Sequence, residues 1–366
     1  MLRFRILAWV LVLTAVFAGC SSGGDDDDAG DDDAGDDDAV TDDDVDDDVL
    51  DDDLADDDTA DDDLTDDDIV DDDMIDDDVV DDDTTDDDTV ESEPVKAMSF
   101  NLRNGLSFDG ENSWPFRRDM LADYLNEETP DVMGVQEGLL FQLAFIKDNV
   151  PGYEWVGRSR RIYPDEYTAV FYRTDRFVLL EQDTFWLSDT PEVVGSRFSI
   201  HQMCPRIVTW AALESVLTGR LLYVFNTHFD TYSGDEVHER SAALLVEKIE
   251  ELAGDNPVIV TGDFNESVGS NGYQILTGAM TYHEVTGDLI DAWVTLGLPD
   301  EGTAHGFTGV PTGPSRIDWV LYAGDLTPFY AEVSHYNQDG LYPSDHFPVY
   351  AEFDWPVERG GRWQGR

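Results

Sequence analysis

From Asp25 to Asp88 the chain repeats three aspartates followed by two small or apolar residues, 40 aspartates in all, with no lysine or arginine among them. Triplets of like charge repel, and two apolar residues in five cannot offset that repulsion with a buried core. The segment therefore cannot fold alone and is expected to be an extended, solvated linker over residues 21–94. The 66 residues from Asp25 to Val90 reach at most roughly 200 Å at about 3.3 Å each. Carboxylates suit hard cations, but the triplets lack the glycine-containing spacing of calcium loops, so any cation binding there is expected to be diffuse.

The repeat also distorts the composition. The whole chain has a formal net charge of −62, whereas the 43 acids and 19 bases of residues 91–366 leave −24. That balance opposes tight binding of duplex DNA by broad phosphate neutralisation. Residues 95–355 are long enough for one large core or two small ones, and two cysteines are too few for a disulfide scaffold or a cysteine-rich zinc site. A short tail, 356–366, follows.

Residues 1–20 read MLRFRILAWVLVLTAVFAGC. A positive start and about thirteen apolar residues, roughly 20 Å of helix, make a secretory signal too short to span a bilayer. Ala18-Gly19-Cys20 resembles a bacterial lipobox. The resemblance implies acylation of Cys20, an extracytoplasmic location and, with Ser21 after the cysteine, tethering to the outer membrane. Cys204 then has no partner for an intramolecular disulfide and is expected as a small buried residue.

Within 95–355 β-rich runs alternate with a few helical ones. Strands are expected at 95–102, 131–137, 167–173, 207–213, 221–228, 257–264, 316–322 and 346–353, and helices at 117–128 and 237–252. This pattern suits two layered sheets with helices outside, but periodicity alone leaves a single doubly wound sheet open. Several strands terminate in groups that a core does not choose: Asn101, Glu137, His228, Asp263 with Asn265, and Asp345 with His346. Asp318 lies within another strand. Each alone is explicable as a turn or surface residue. Together they describe one polar cleft, because buried carboxylates and imidazoles are costly unless paired or metal-bound. Oxygen donors without cysteine favour Mg²⁺ or Mn²⁺.

In chain order, SFNLR, GVQE, FNTHFD, VTGDFN, RIDWVLY and PSDHFPV resemble the endonuclease/exonuclease/phosphatase superfamily from Val95 to about Asp354. The resemblance implies a four-layered α/β/β/α sandwich and divalent-metal-dependent phosphoester hydrolysis by in-line attack of an activated water. It implies metal ligands Asn101, Glu137 and Asp345, a water-orienting Asp263, and Asn265, His228 and His346 on the phosphoryl oxygens. Asp318 is implied to hold His346, Glu166 to orient His228, and Arg206 to contact phosphate. The substrate is left open among nucleic acid, lipid headgroup and phosphoglycan; no protein partner is expected, and the protein is expected to be a monomer. An extracellular nuclease and a non-catalytic binding protein are the alternatives. Arg158, Arg160 and Arg161 are either a second phosphate contact or a solvated loop, and Trp114, Trp186 and Trp293 either core or subsite.

Overall fold

The computed structural model of the protein describes residues 92–198, 202–231 and 234–357. The leader, Cys20, the aspartate linker up to residue 91, His201 and the tail from 358 lie outside the described residues. Among those described, the strands form two six-stranded sheets. The first runs β11 (Thr327–Val333), β12 (Val349–Pro356), β1 (Ser92–Asn101), β2 (Val132–Gly138), β4 (Tyr167–Arg173) and β3 (Tyr153–Val156). The second runs β5 (Phe177–Trp186), β6 (Ile207–Ser215), β7 (Leu221–His228), β8 (Val258–Asp263), β10 (Asp318–Ala323) and β9 (Ile290–Asp291). Only β1–β2 and β7–β8 pair in parallel among these strands.

Alternation along each strand explains the layers, because successive side chains point to opposite faces. On β1, Val95 and Ala97 face the layer between the sheets, while Met98 and Phe100 face outward. There they meet Leu121 and Leu125 of α1 (Trp114–Glu128) and Leu143 and Ile146 of α2 (Leu140–Asn149). On β7 and β8, Val224 and Ile259 face the other sheet. Phe225 and Val260 instead meet Leu245 and Ile249 of α3 (Asp235–Ala253) and Ile275 of α4 (Asn271–Leu276). Trp293, in α5 (Ala292–Thr295), joins the inter-sheet core. The result is an α/β sandwich of two mixed, mostly antiparallel sheets with helices on both outer faces.

Two expectations shift. Asp318 is the first residue of β10 rather than an interior one, and pairs with Asp263 at the same rim because β10 runs antiparallel to β8. Asp345 and His346 sit in the loop before β12, whose pairing with β1 begins only at Val349, after Pro348, a residue without an N–H for the ladder.

Candidate active site

The inward-facing positions run 95, 97, 99, 101 on β1 and 222, 224, 226, 228 on β7. Their last members, Asn101 and His228, therefore stand at one rim of the inter-sheet layer, as do Asp263 and Asp318 on β8 and β10. Glu137 arrives there differently. Residues 132 and 134 of β2 already face inward, so 137 is out of phase. The β2–β4 register shifts between Val135 and Gly138, and Glu137 itself takes a left-handed backbone (φ 58°). That bulge turns its carboxylate back to the rim, a strained geometry that surrounding contacts must hold.

The rim residues form one continuous buried network. Asn101 Nδ2 donates to Glu137 Oε1 (3.2 Å) and Asp263 Oδ2 (2.9 Å). Asp263 Oδ2 lies 3.6 Å from His228 Nε2 and 4.0 Å from His346 Nδ1. His346 Nδ1 is 2.8 Å from Asp318 Oδ2. Glu137, Asp263 and His346 thus converge. The loop carrying Asp345 is fastened by Ser344 Oγ, which donates to Asn101 O at 2.6 Å, and Asp345 Oδ2 lies 3.4 Å from Arg103 Nη1.

Several placements refine the expected roles. The Asn101 amide presents its nitrogen to both acids, and its Oδ1 accepts from Arg103 N (2.9 Å), so it is a metal ligand only with the amide turned over. Asn265 is also left-handed (φ 51°); its backbone N–H donates to Asp263 Oδ1 (3.0 Å), while its Nδ2 donates to Phe229 O (3.1 Å). Glu166 is buried and pairs with Arg160 Nη1 at 2.5 Å. Arg206 is buried beside Asp230 (3.6 Å), and its Nη1 has no hydrogen-bond partner among the described residues. Of the basic cluster, Arg160 and Arg161 pair with Asp165 and Glu166, while Arg158 stays exposed, 3.9 Å from Asp183. Trp114, Trp186 and Trp293 are all buried. Cys204 is buried too, as expected of a small residue before Pro205.

Other residues of the site carry no motif-level signal. Asn104 ties Glu137 (N–H to Oε2, 2.8 Å) to Glu166 (Nδ2 to Oε1, 2.8 Å). Thr303 Oγ1 donates to Asp318 Oδ2 at 2.6 Å. Arg117, 2% exposed, donates to the carbonyls of Leu102, Arg103, Asn112 and Pro343, clamping the loop after Asn101 to the loop of Asp345. A basic residue on a helix face ordinarily reads as solvated, and only the fold shows this one capping loops.

Electrostatics separate the two histidines. Burial pushes His228 well below its ordinary range, with Arg206 adding to the effect. Burial acts the same way on His346, but Asp318 and Asp263 overcome it and hold the imidazolium well above 6.5. Burial, then Asp318, raises Asp263 to about 7, and burial raises Glu166 to about 7 against the pull of Arg160. Asp345 also rises through burial, with Glu137 adding to it. Such an excess of buried carboxylates is what a bound dication neutralises. The donor set fits one, with Glu137 and Asp345 supplying oxygens of the hard type that Mg²⁺ and Mn²⁺ prefer. Asp263, Asp318 and His346 also place ligand atoms within 4.8 Å of one another. There, however, His346 faces Asp318 through a hydrogen bond, which already satisfies that pair.

These shifts set a pH dependence. A carboxyl whose folded pKa exceeds its unfolded value keeps a proton that the unfolded chain has lost, so stability falls as pH rises towards 7. The raised His346 acts in the same sense, its contribution being lost as pH climbs through its folded value, while His228 opposes only below 6.5. In EDTA the thermal midpoint is expected to fall between pH 6.5 and about 8, less so in Asp263→Asn, and saturating Mn²⁺ is expected to flatten the slope. A midpoint that rises over this range in EDTA contradicts the assignment.

Comparison with known proteins agrees with this fold. Residues 98–346 match the Endonuclease/Exonuclease/phosphatase family. An endonuclease/exonuclease/phosphatase of Bacteroides vulgatus is 30% identical with a TM-score of 0.65, over 72% of this chain and 99% of that one. A mannosyl-6-phosphatase of Bacteroides thetaiotaomicron is 30% identical with a TM-score of 0.63, over 71% and 99%. The CCR4-Not complex 3'-5'-exoribonuclease subunit Ccr4 of Yarrowia lipolytica is 26% identical over 259 residues, 54% of this chain but only 36% of that protein. The chain belongs to the endonuclease/exonuclease/phosphatase family, whose members hydrolyse phosphoesters.

Proposed function

We propose that the protein is a divalent-metal-dependent phosphoester hydrolase, exported and tethered by a lipid on Cys20, acting on a small phosphorylated glycan or headgroup ahead of nucleic acid. The observation that carries the catalytic reading is the position of Asp263. It is buried, held by Asn101 and by the Asn265 N–H, and within 4.0 Å of both histidines. A carboxylate raised to about 7 is matched to taking a proton from an attacking water near neutral pH. His346, kept cationic by Asp318, supplies positive charge where negative charge grows on the phosphoryl oxygens. His228 and Arg206 offer further donors: His228 Nε2 and Arg206 Nη1 are buried without hydrogen-bond partners among the described residues. A cation held by Glu137 and Asp345 polarises the phosphoryl oxygen when bound.

The substrate preference rests on two observations. The mannosyl-6-phosphatase is matched over almost its whole length, the exoribonuclease over about a third. The net −24 outside the leader and repeat also disfavours a long polyanion. The test is hydrolysis of bis-p-nitrophenyl phosphate, mannose 6-phosphate, single-stranded RNA and DNA, with EDTA and with Mg²⁺ or Mn²⁺ restored. Hydrolysis abolished by EDTA supports the reading; metal-independent hydrolysis overturns the metal dependence, and none across the panel overturns the reading in favour of the binding protein. Preference for RNA or DNA reverses the substrate order.

The anchor is tested separately. Wild type is expected to partition into Triton X-114 and Cys20→Ser into the aqueous phase, with mass spectrometry showing an acylated Cys20 peptide. A Cys20–Cys204 disulfide in place of the acyl group overturns the proposal.

A further inference from the structure

Directly beneath the site the inter-sheet layer is polar, although apolar residues fill it one step further down. Ser99 lies two residues before Asn101, Asn226 two before His228, and Thr261 two before Asp263, so each faces the same way one pleat below its site residue. The next inward positions below are Ala97, Val224 and Ile259, which belong to the apolar core. Asn226, Thr261, Gln136 and Ser99 are all fully buried.

Asn226 belongs to the second sheet but hydrogen-bonds into the first. Its Nδ2 donates to Val135 O (2.8 Å) and Ala169 O (2.9 Å), the last matched pair of β2 and β4 before their register shifts. Those two carbonyls fix which way the amide points, and its Oδ1 then accepts from Gln136 Nε2 (2.7 Å) and Thr261 Oγ1 (3.2 Å). Gln136 Nε2 also contacts Ser99 Oγ (3.2 Å) and Gly134 O (3.3 Å). Gly134 is required here: a Cβ would lie 2.0 Å from Thr261 Oγ1 and 2.5 Å from Asn226 Oδ1. The two backbones meet through amides because no side chain separates them at this point.

The site above is divided in the same way. Asn101 and Glu137 come from the first sheet, and His228, Asp263 and Asp318 from the second. Apolar contacts between sheets are non-directional and tolerate sliding, whereas an amide with four partners does not. We infer that the Gln136–Asn226 amide pair is a positioning device, which pins the bulge carrying Glu137 to β7 and so sets the separation between the metal-binding and water-activating halves of the site. The inference rests on the proposed hydrolase reading for its kinetic consequence.

Gln136→Met tests it on the full chain. Methionine keeps the length and removes the three bonds of Nε2, together with an Oε1 that has no donor among the described residues, so folding is expected to survive. Thr209→Val is the control, because Thr209 Oγ1 bonds Thr184 Oγ1 (3.0 Å) across β5–β6 within one sheet. With bis-p-nitrophenyl phosphate, well below each melting temperature, Gln136→Met is expected to lose ~10-fold or more in kcat with KM changed less than ~2-fold. Thr209→Val, with a comparable loss of Tm, is expected to keep kcat within ~2-fold. Full kcat in Gln136→Met, or kcat falling with Tm alike in both variants, overturns the inference while leaving the hydrolase reading intact. An inactive wild type instead defeats the hydrolase reading, and a second readout then decides the positioning role. Mn²⁺ is expected to raise the Tm of wild type by at least about twice what it does for Gln136→Met; equal shifts overturn the inference.

Discussion

Asp263→Ala and His346→Ala are each expected to lower turnover by at least ~10² on any ester that the wild type hydrolyses, with a folded, cooperative melt retained. The reason lies in what each substitution leaves behind. Asp263 Oδ2 accepts from Asn101 and lies within 4.0 Å of both histidines, so its loss removes the proposed proton acceptor and a counter-charge for His346 together. Loss of His346 leaves Asp318 buried with Thr303 as its remaining side-chain partner among the described residues, and removes the cation proposed to face the phosphoryl group. The pair is further expected to be non-additive, because both act on one charge arrangement. Steady-state kinetics of the two single variants and the double variant check this, and an unchanged rate in either single variant refutes the site.

Glu137→Gln is expected to raise the concentration of Mg²⁺ or Mn²⁺ giving half-maximal activity by at least ~10-fold and to lower turnover at saturating metal. Gln keeps the length and can still accept from the Asn104 N–H, so loss of fold is not the expected cause. It removes the charge that repels Asp263, Glu166 and Asp345, each of which is raised in part by Glu137. The metal-free variant is therefore expected to melt higher than metal-free wild type while gaining less from added Mn²⁺. Opposite movement of stability and metal response distinguishes a ligand from a packing residue. A variant that melts lower and responds to Mn²⁺ like wild type shows Glu137 to be structural.

Much of this arrangement was legible before any coordinates, for a local reason. A strand shows its inner face in every second residue, so Asn101, His228 and Asp263 announce themselves as polar groups ending apolar runs. Edge strands were harder to see. In β5 a run of exposed and half-buried residues hides its pattern, and β9 has only two residues. The arginines at 158–161 were ambiguous because a charge carries no sign of its partner; Asp165 and Glu166 claim two of them only once the loop folds.

The order of residues along the chain determined the strand runs and the identity of the rim groups, since the two-residue period acts over short stretches, and it left two layered sheets and one doubly wound sheet both open. Only the tertiary structure decided which groups meet: Glu137 turned inward at a bulge, Asn104 and Arg117 bracing loops, and Gln136 joined to Asn226 across 90 residues of chain. Those contacts depend on how two sheets lie against each other, and no local pattern encodes a distance between strands that are not neighbours.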